Sequence, residues 1–124
     1  MMSSPQRFIE DFVSGTDCVL LGTCSEDAGN IDEAWFTIRE DWATDADEAV
    51  VPSDSNAVGQ LKLSTGGITI VDGALELVIP SALTRTMRRR TYCADLKVKT
   101  TTGRILPAAV GQLRRIPNAG TATS

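Results

Sequence analysis

The chain has 124 residues, 42% hydrophobic and 23% charged, with a net charge of −4. That length gives one domain with a modest core needing neither metal nor disulfide, and no apolar stretch approaches the roughly 20 residues of a membrane span. Histidine is absent, which removes Ser-His and Cys-His nucleophiles, imidazole metal ligands and the histidine general base.

The charges are unevenly spread. Up to Gln60 there are thirteen acids against Arg7 and Arg39, a net of −11; from Leu61 onward ten bases face Asp72, Glu76 and Asp95, a net of +7. A chain divided in this way has a basic surface for a polyanion, or complementary surfaces for copies of itself.

Taken in chain order, MMSSPQRFIEDF lacks the apolar h-region of a classical export signal, so a reducing cytosol is the expected place of synthesis. Residues 17–24 (DCVLLGTC) read as a strand closed by the turn-prone SEDAGN. Cys18 and Cys24 fall on one face of it, too far apart along the strand to bridge. A Cys24–Cys93 link across strands is conceivable, but three small buried hydrophobes is the expectation. Residues 34–39 alternate, with Ala34, Phe36 and Ile38 to one face and Trp35, Thr37 and Arg39 to the other. An outward tryptophan is either an interface anchor or packs under the loop at 41–54.

Residues 41–54 are acidic and sparse in apolar positions, which predicts a solvated or partner-facing loop containing Trp42, Asp45, Asp47 and Glu48. The loop lacks the glycine at position six and the glutamate at position twelve that a calcium loop needs. Strands follow at 59–63, 68–71 and 75–79, with hairpin signals at Gly66-Gly67 and Asp72-Gly73. Residues 80–84 form a helical turn with proline at its start. Tyr92, Ala94, Leu96 and Val98 alternate with Cys93, Asp95, Lys97 and Lys99, and TTTG returns the chain into residues 104–116. Pro107 in that returning run marks an edge or a bulge. PNAGTATS (117–124) cannot fold alone and is expected to dock on a partner.

Seven or so short strands with these turns predict a single all-β domain over residues 1–116, an antiparallel β-sandwich with one short helical turn. Arg85 and the run Arg88-Arg89-Arg90 invite a nucleic-acid reading, but only Tyr92 is near to stack on a base and the net charge is negative. An acidic protein surface is the better match. Paired carboxylates such as Glu10-Asp11 would need an aromatic-lined cleft to act as a glycosidase, for which a chain with two tryptophans leaves little room.

Several segments carry a resemblance. Ser14-Gly15-Thr16-Asp17 precedes the first strand, and Asp27-Ala28-Gly29-Asn30-Ile31-Asp32 leads into residues 34–39. Thr84 to Met87, then Tyr92-Cys93-Ala94-Asp95-Leu96-Lys97-Val98, Gly103-Arg104 and Gly111-Gln112-Leu113 follow in order. This sequence resembles the immunoglobulin-like β-sandwich domains of tailed-bacteriophage virions, typified by the N-terminal domain of phage baseplate upper proteins. The loop 41–54 and Arg88–Arg90 depart from that pattern, which usually has a glycine before the tyrosine.

The resemblance implies an immunoglobulin-like fold and a non-enzymatic virion protein, without catalytic residues, cofactor or metal, made in the host cytoplasm. Its partners would be copies of itself and neighbouring virion proteins in a homo-oligomer or large assembly of the tail, baseplate or neck, with no nucleic acid and no membrane. Arg85, Arg88, Arg89 and Arg90 would meet Asp45, Asp47, Glu48 or a neighbour's acids, with Trp35 or Trp42 as the apolar anchor. Alternatives are a capsid decoration (cement) protein and a carbohydrate-binding sandwich for host recognition.

Overall fold

In the computed structural model the described residues are 6–23, 28–40 and 57–116. They form eight strands and one helical turn: β1 (Gln6–Phe12), β2 (Cys18–Gly22), β3 (Ile31–Arg39), β4 (Ala57–Lys62), β5 (Ile68–Val71), β6 (Ala74–Ile79), α1 (Ser81–Thr84), β7 (Thr91–Thr100) and β8 (Ile105–Arg115). The loop residues Trp42, Asp45, Asp47 and Glu48, Cys24, and the tail 117–124 lie outside the described residues.

Two sheets face each other, one ordered β1-β8-β7-β3-β4 and the other β2-β6-β5. The groupings β2-β6-β5 and β8-β7-β3 match the B-E-D and G-F-C groupings of an immunoglobulin-type sandwich, with β1 and β4 added at the two edges of the larger sheet. Two details differ from the sequence reading. Among the described residues there are eight strands rather than about seven, and β1 pairs with β8 in parallel, so the sandwich is not wholly antiparallel. β1 escapes a periodicity search because QRFIEDF exposes all but Phe8 and Phe12, and its partner lies a hundred residues away.

The core follows from strand alternation. Phe36 and Ile38 of β3, Leu96 and Val98 of β7 and Leu113 of β8 meet Leu75, Leu77 and Ile79 of β6 and Ile68 of β5, all at most 2% exposed. Each such side chain contributes roughly 1.5–3 kcal/mol by leaving water. Phe8 and Phe12 bring β1 into this core, with ring centroids 6.2 Å from Phe36 and 6.3 Å from Tyr92. Cys18 and Cys93 are buried, as small hydrophobes would be.

Turn chemistry behaves as the residues dictate. Asp72 and Gly73 both take positive φ (51° and 80°), the conformation of a two-residue hairpin joining β5 to β6. Pro107 sits where the register of β7 and β8 shifts, and pairing of β1 with β8 begins only at Ala109, so its missing N–H costs no ladder bond on that side.

Candidate interaction surfaces

The β6–β7 connection carries Arg85, Arg88, Arg89 and Arg90, and its shape is set by three buried side chains. Pro80 takes the N-cap position of α1, and the N–H of Ser81 donates to Asp17 Oδ1 at 2.7 Å. Thr84, fully buried, donates through Oγ1 to the carbonyl of Thr16 at 2.7 Å and accepts from the Gly15 N–H at 3.1 Å. Met87 is fully buried two residues after Arg85. Tyr92, 2% exposed, accepts at its hydroxyl the N–H of Arg89 at 2.8 Å. A buried tyrosine at the start of this strand, bonded back to backbone a few residues upstream, has the geometry of the tyrosine corner found in immunoglobulin-type sandwiches. Residues between these anchors point outward, so the arginines are exposed by construction.

Residues distant in sequence join them. Thr91 pairs with Arg114, and the Arg115 N–H donates to the Arg90 carbonyl at 2.8 Å. Arg114 and Arg115 therefore extend the basic turn along one end of the sandwich, a grouping that only the β7–β8 register reveals. Arg89 pairs with Glu40 at 3.7 Å, both about half exposed, and Arg114 with Asp11 at 3.0 Å. Exposed pairs of this kind contribute about 0–1 kcal/mol each. Both join an acid of the first half to a base of the second, so part of the sequence polarity is discharged inside the fold. Glu40 is the last described residue before the acidic segment, and it lies beside the basic turn.

Trp35 has the outward phase expected of it but is only 7% exposed, flanked across the sheet by Lys97 and Lys62. The 41–54 loop that one of its two readings sets over it lies outside the described residues. The same face holds buried Thr37, which accepts from Gln60 Nε2 at 3.1 Å, and the Arg39–Asp95 pair at 3.4 Å. Burial raises the Asp95 pKa, and the attraction of Lys97 and Arg39 only partly offsets it. At the far end of β3, Glu33 accepts from the backbone N–H groups of Ala34 and Ser64, each at 3.0 Å. Burial pushes its pKa up, but hydrogen bonds from the Ser64 side chain and the Ala34, Ser64 and Leu63 backbone outweigh that and hold it below its ordinary value.

The apolar surface lies elsewhere, and the sequence reading did not single it out. The large exposed hydrophobics include Leu21 at 68%, Ile9 at 61% and Val19 at 55%. All three sit on β1 and β2, edge strands of the two sheets, which share a cleft of about 110 Å³ lined in part by Gln6, Phe8, Glu10, Leu20, Leu21 and Gly22. The signal was in CVLLG itself: a half-buried strand needs only every second residue apolar, yet this one is apolar on both faces.

Among the described residues no cluster of three metal-ligating side chains occurs, and no helix is long and apolar enough to cross a membrane. No protein-family model matches the chain, and no curated protein matches it.

Proposed function

We propose that the chain is a non-enzymatic structural protein that works by assembling with copies of itself and with neighbouring proteins. Following the resemblance, its setting is a bacteriophage virion, in the tail, baseplate or neck. The observation that carries this reading is the basic end of the sandwich. Arg85, Arg88 and Arg90 are exposed on a turn whose backbone is held by Thr84, Met87 and Tyr92, and Arg115 is exposed beside it, its N–H bonded to the Arg90 carbonyl. A preorganised cationic surface loses little entropy when an acidic protein surface meets it, and complementary charge sets register and association rate.

A sugar-binding role would need an exposed aromatic platform. Among the described residues every aromatic ring is buried or half-buried, so the assembly reading has the better support.

Replacing Arg88, Arg89 and Arg90 together by serine tests the proposal. The triple variant should keep the wild-type circular dichroism and melting temperature but fail to enter particles. Normal incorporation of the folded variant would refute the role of the basic turn.

A further inference from the structure

We infer that two copies of this chain pair through the β1/β2 side of the sandwich, with β2 of one adding antiparallel to β2 of the other about a two-fold axis at Leu20. This deepens the assembly reading by naming one of its contacts, and it rests on that reading for its biological setting.

The edges of the two sheets differ in how they are guarded. β1 carries Arg7, Glu10 and Asp11; β4 carries Lys62, and its ladder with β3 shifts register at Ile38/Arg39. β5 has four residues and runs straight into the tight Asp72-Gly73 turn. β2 has none of these devices: Cys18-Val19-Leu20-Leu21-Gly22 contains no charge, no proline and no register shift against β6. Sheet edges that avoid pairing are normally short, charged, kinked or covered. In an immunoglobulin-type B-E-D sheet the first strand commonly lies beside B, whereas here β1 has gone to β8 and leaves β2 with β6 as its one ladder partner among the described strands. An edge without charge selects a partner strand without charge, by backbone hydrogen bonds and apolar side chains. The chain's own β2 is such a strand.

The surroundings are self-complementary about the same axis. Antiparallel pairing centred on Leu20 sets Val19 of one copy opposite Leu21 of the second, twice, joining two exposed apolar pairs on one face. Asp17 then lies opposite Thr23 of the second copy, whereas parallel pairing would stack Asp17 on Asp17. β1, the edge strand of the other sheet, lies near this edge, where Thr23 Oγ1 donates to Gln6 Oε1 at 3.2 Å. A five-residue ladder with this small rim falls at the low end of specific interfaces, so the pairing is weak in solution and strengthens when many copies are held together.

The test is a cross-linking experiment on the full chain. Val19→Cys and Leu21→Cys chains of different tag length are mixed and mildly oxidised. The mixed dimer, which joins position 19 of one chain to position 21 of the other, should dominate over either like pair. Sedimentation of the wild type should show a dimer favoured by concentration and retained in high salt. Leu21→Lys should sediment as a monomer with an unchanged melting temperature. A wild type that stays monomeric throughout, or a Val19→Cys chain that cross-links to itself as readily as to Leu21→Cys, overturns the pairing. Particle incorporation of the wild type is scored separately. Incorporation without the mixed cross-link sinks the pairing alone, and the cross-link without incorporation sinks the virion setting alone.

Discussion

The hydroxyl of Tyr92 accepts the backbone N–H of Arg89 at 2.8 Å, so a residue of the core strand β7 holds the middle of the basic turn. Tyr92→Phe keeps the ring's packing against Phe12 but leaves that N–H without its partner. A bond of this kind contributes about 1 kcal/mol, which for a domain of this size lowers the melting temperature by about 3–6 °C. The more telling readout is local. Amide exchange should accelerate at Arg89 and its neighbours while the β3 and β7 amides stay protected, and uniform acceleration across the sheet would contradict a local role.

Thr84 makes the larger demand. Its hydroxyl joins the 14–17 turn to α1 by donating to Thr16 and accepting from Gly15, in a site with no exposure. Thr84→Val preserves shape and removes both bonds, leaving a carbonyl and an N–H unsatisfied, at a cost of about 1–3 kcal/mol. Thr84→Ser retains the hydroxyl and should recover most of the loss. Urea unfolding of the pair measures this, and equal destabilisation by valine and serine would show that the methyl group, not the hydroxyl, matters.

Much of this arrangement was open to a reader of the sequence, and the failures have definite causes. The alternation of Phe36 and Ile38, and of Tyr92 to Val98, announces strands because that face of each packs into the core. Asp72-Gly73 and Pro107 announce a turn and a bulge because their backbones permit little else. β1 was hidden because an edge strand against a distant parallel partner needs only Phe8 and Phe12 to be apolar. Arg114 and Arg115 joined the basic turn through register, which no local pattern encodes. Trp35 was placed on the right face, but phase says which side a residue faces and not whether that side is covered. The charge division proved narrower than it looked, since Asp11–Arg114 and Glu40–Arg89 neutralise part of it within the fold.

The position of β1 depends on Gly111. A β-carbon built there would collide with the Phe8 carbonyl oxygen and ring, so Gly111→Ala must push β1 away from β8. Overpacking of a well-filled site costs about 1–3 kcal/mol, and displaced β1 also loses its Phe8 and Phe12 contacts. Limited proteolysis should open a new cleavage site within residues 6–12 in the variant, and an unchanged digestion pattern with wild-type stability would disprove the close approach.

Glu33 and Asp95 respond to acid with opposite signs. The Glu33 pKa is lowered in the fold, so its carboxylate stabilises the native state above the ordinary glutamate range, and that contribution is lost as pH falls through the lowered native value. The Asp95 pKa is raised by burial, so its ionised form opposes folding, and protonation relieves that as pH falls. The wild-type curve mixes the two, and Glu33→Gln separates them. At neutral pH the variant should be less stable than the wild type, because glutamine cannot accept from Ala34 and Ser64 with a full charge. Below the ordinary glutamate range the wild type loses that advantage too, so the gap between their urea midpoints should close on acidification. A gap that stays constant from neutral pH to about pH 3, below the ordinary glutamate value, would mean that the Glu33 charge does not hold the β3–β4 end together.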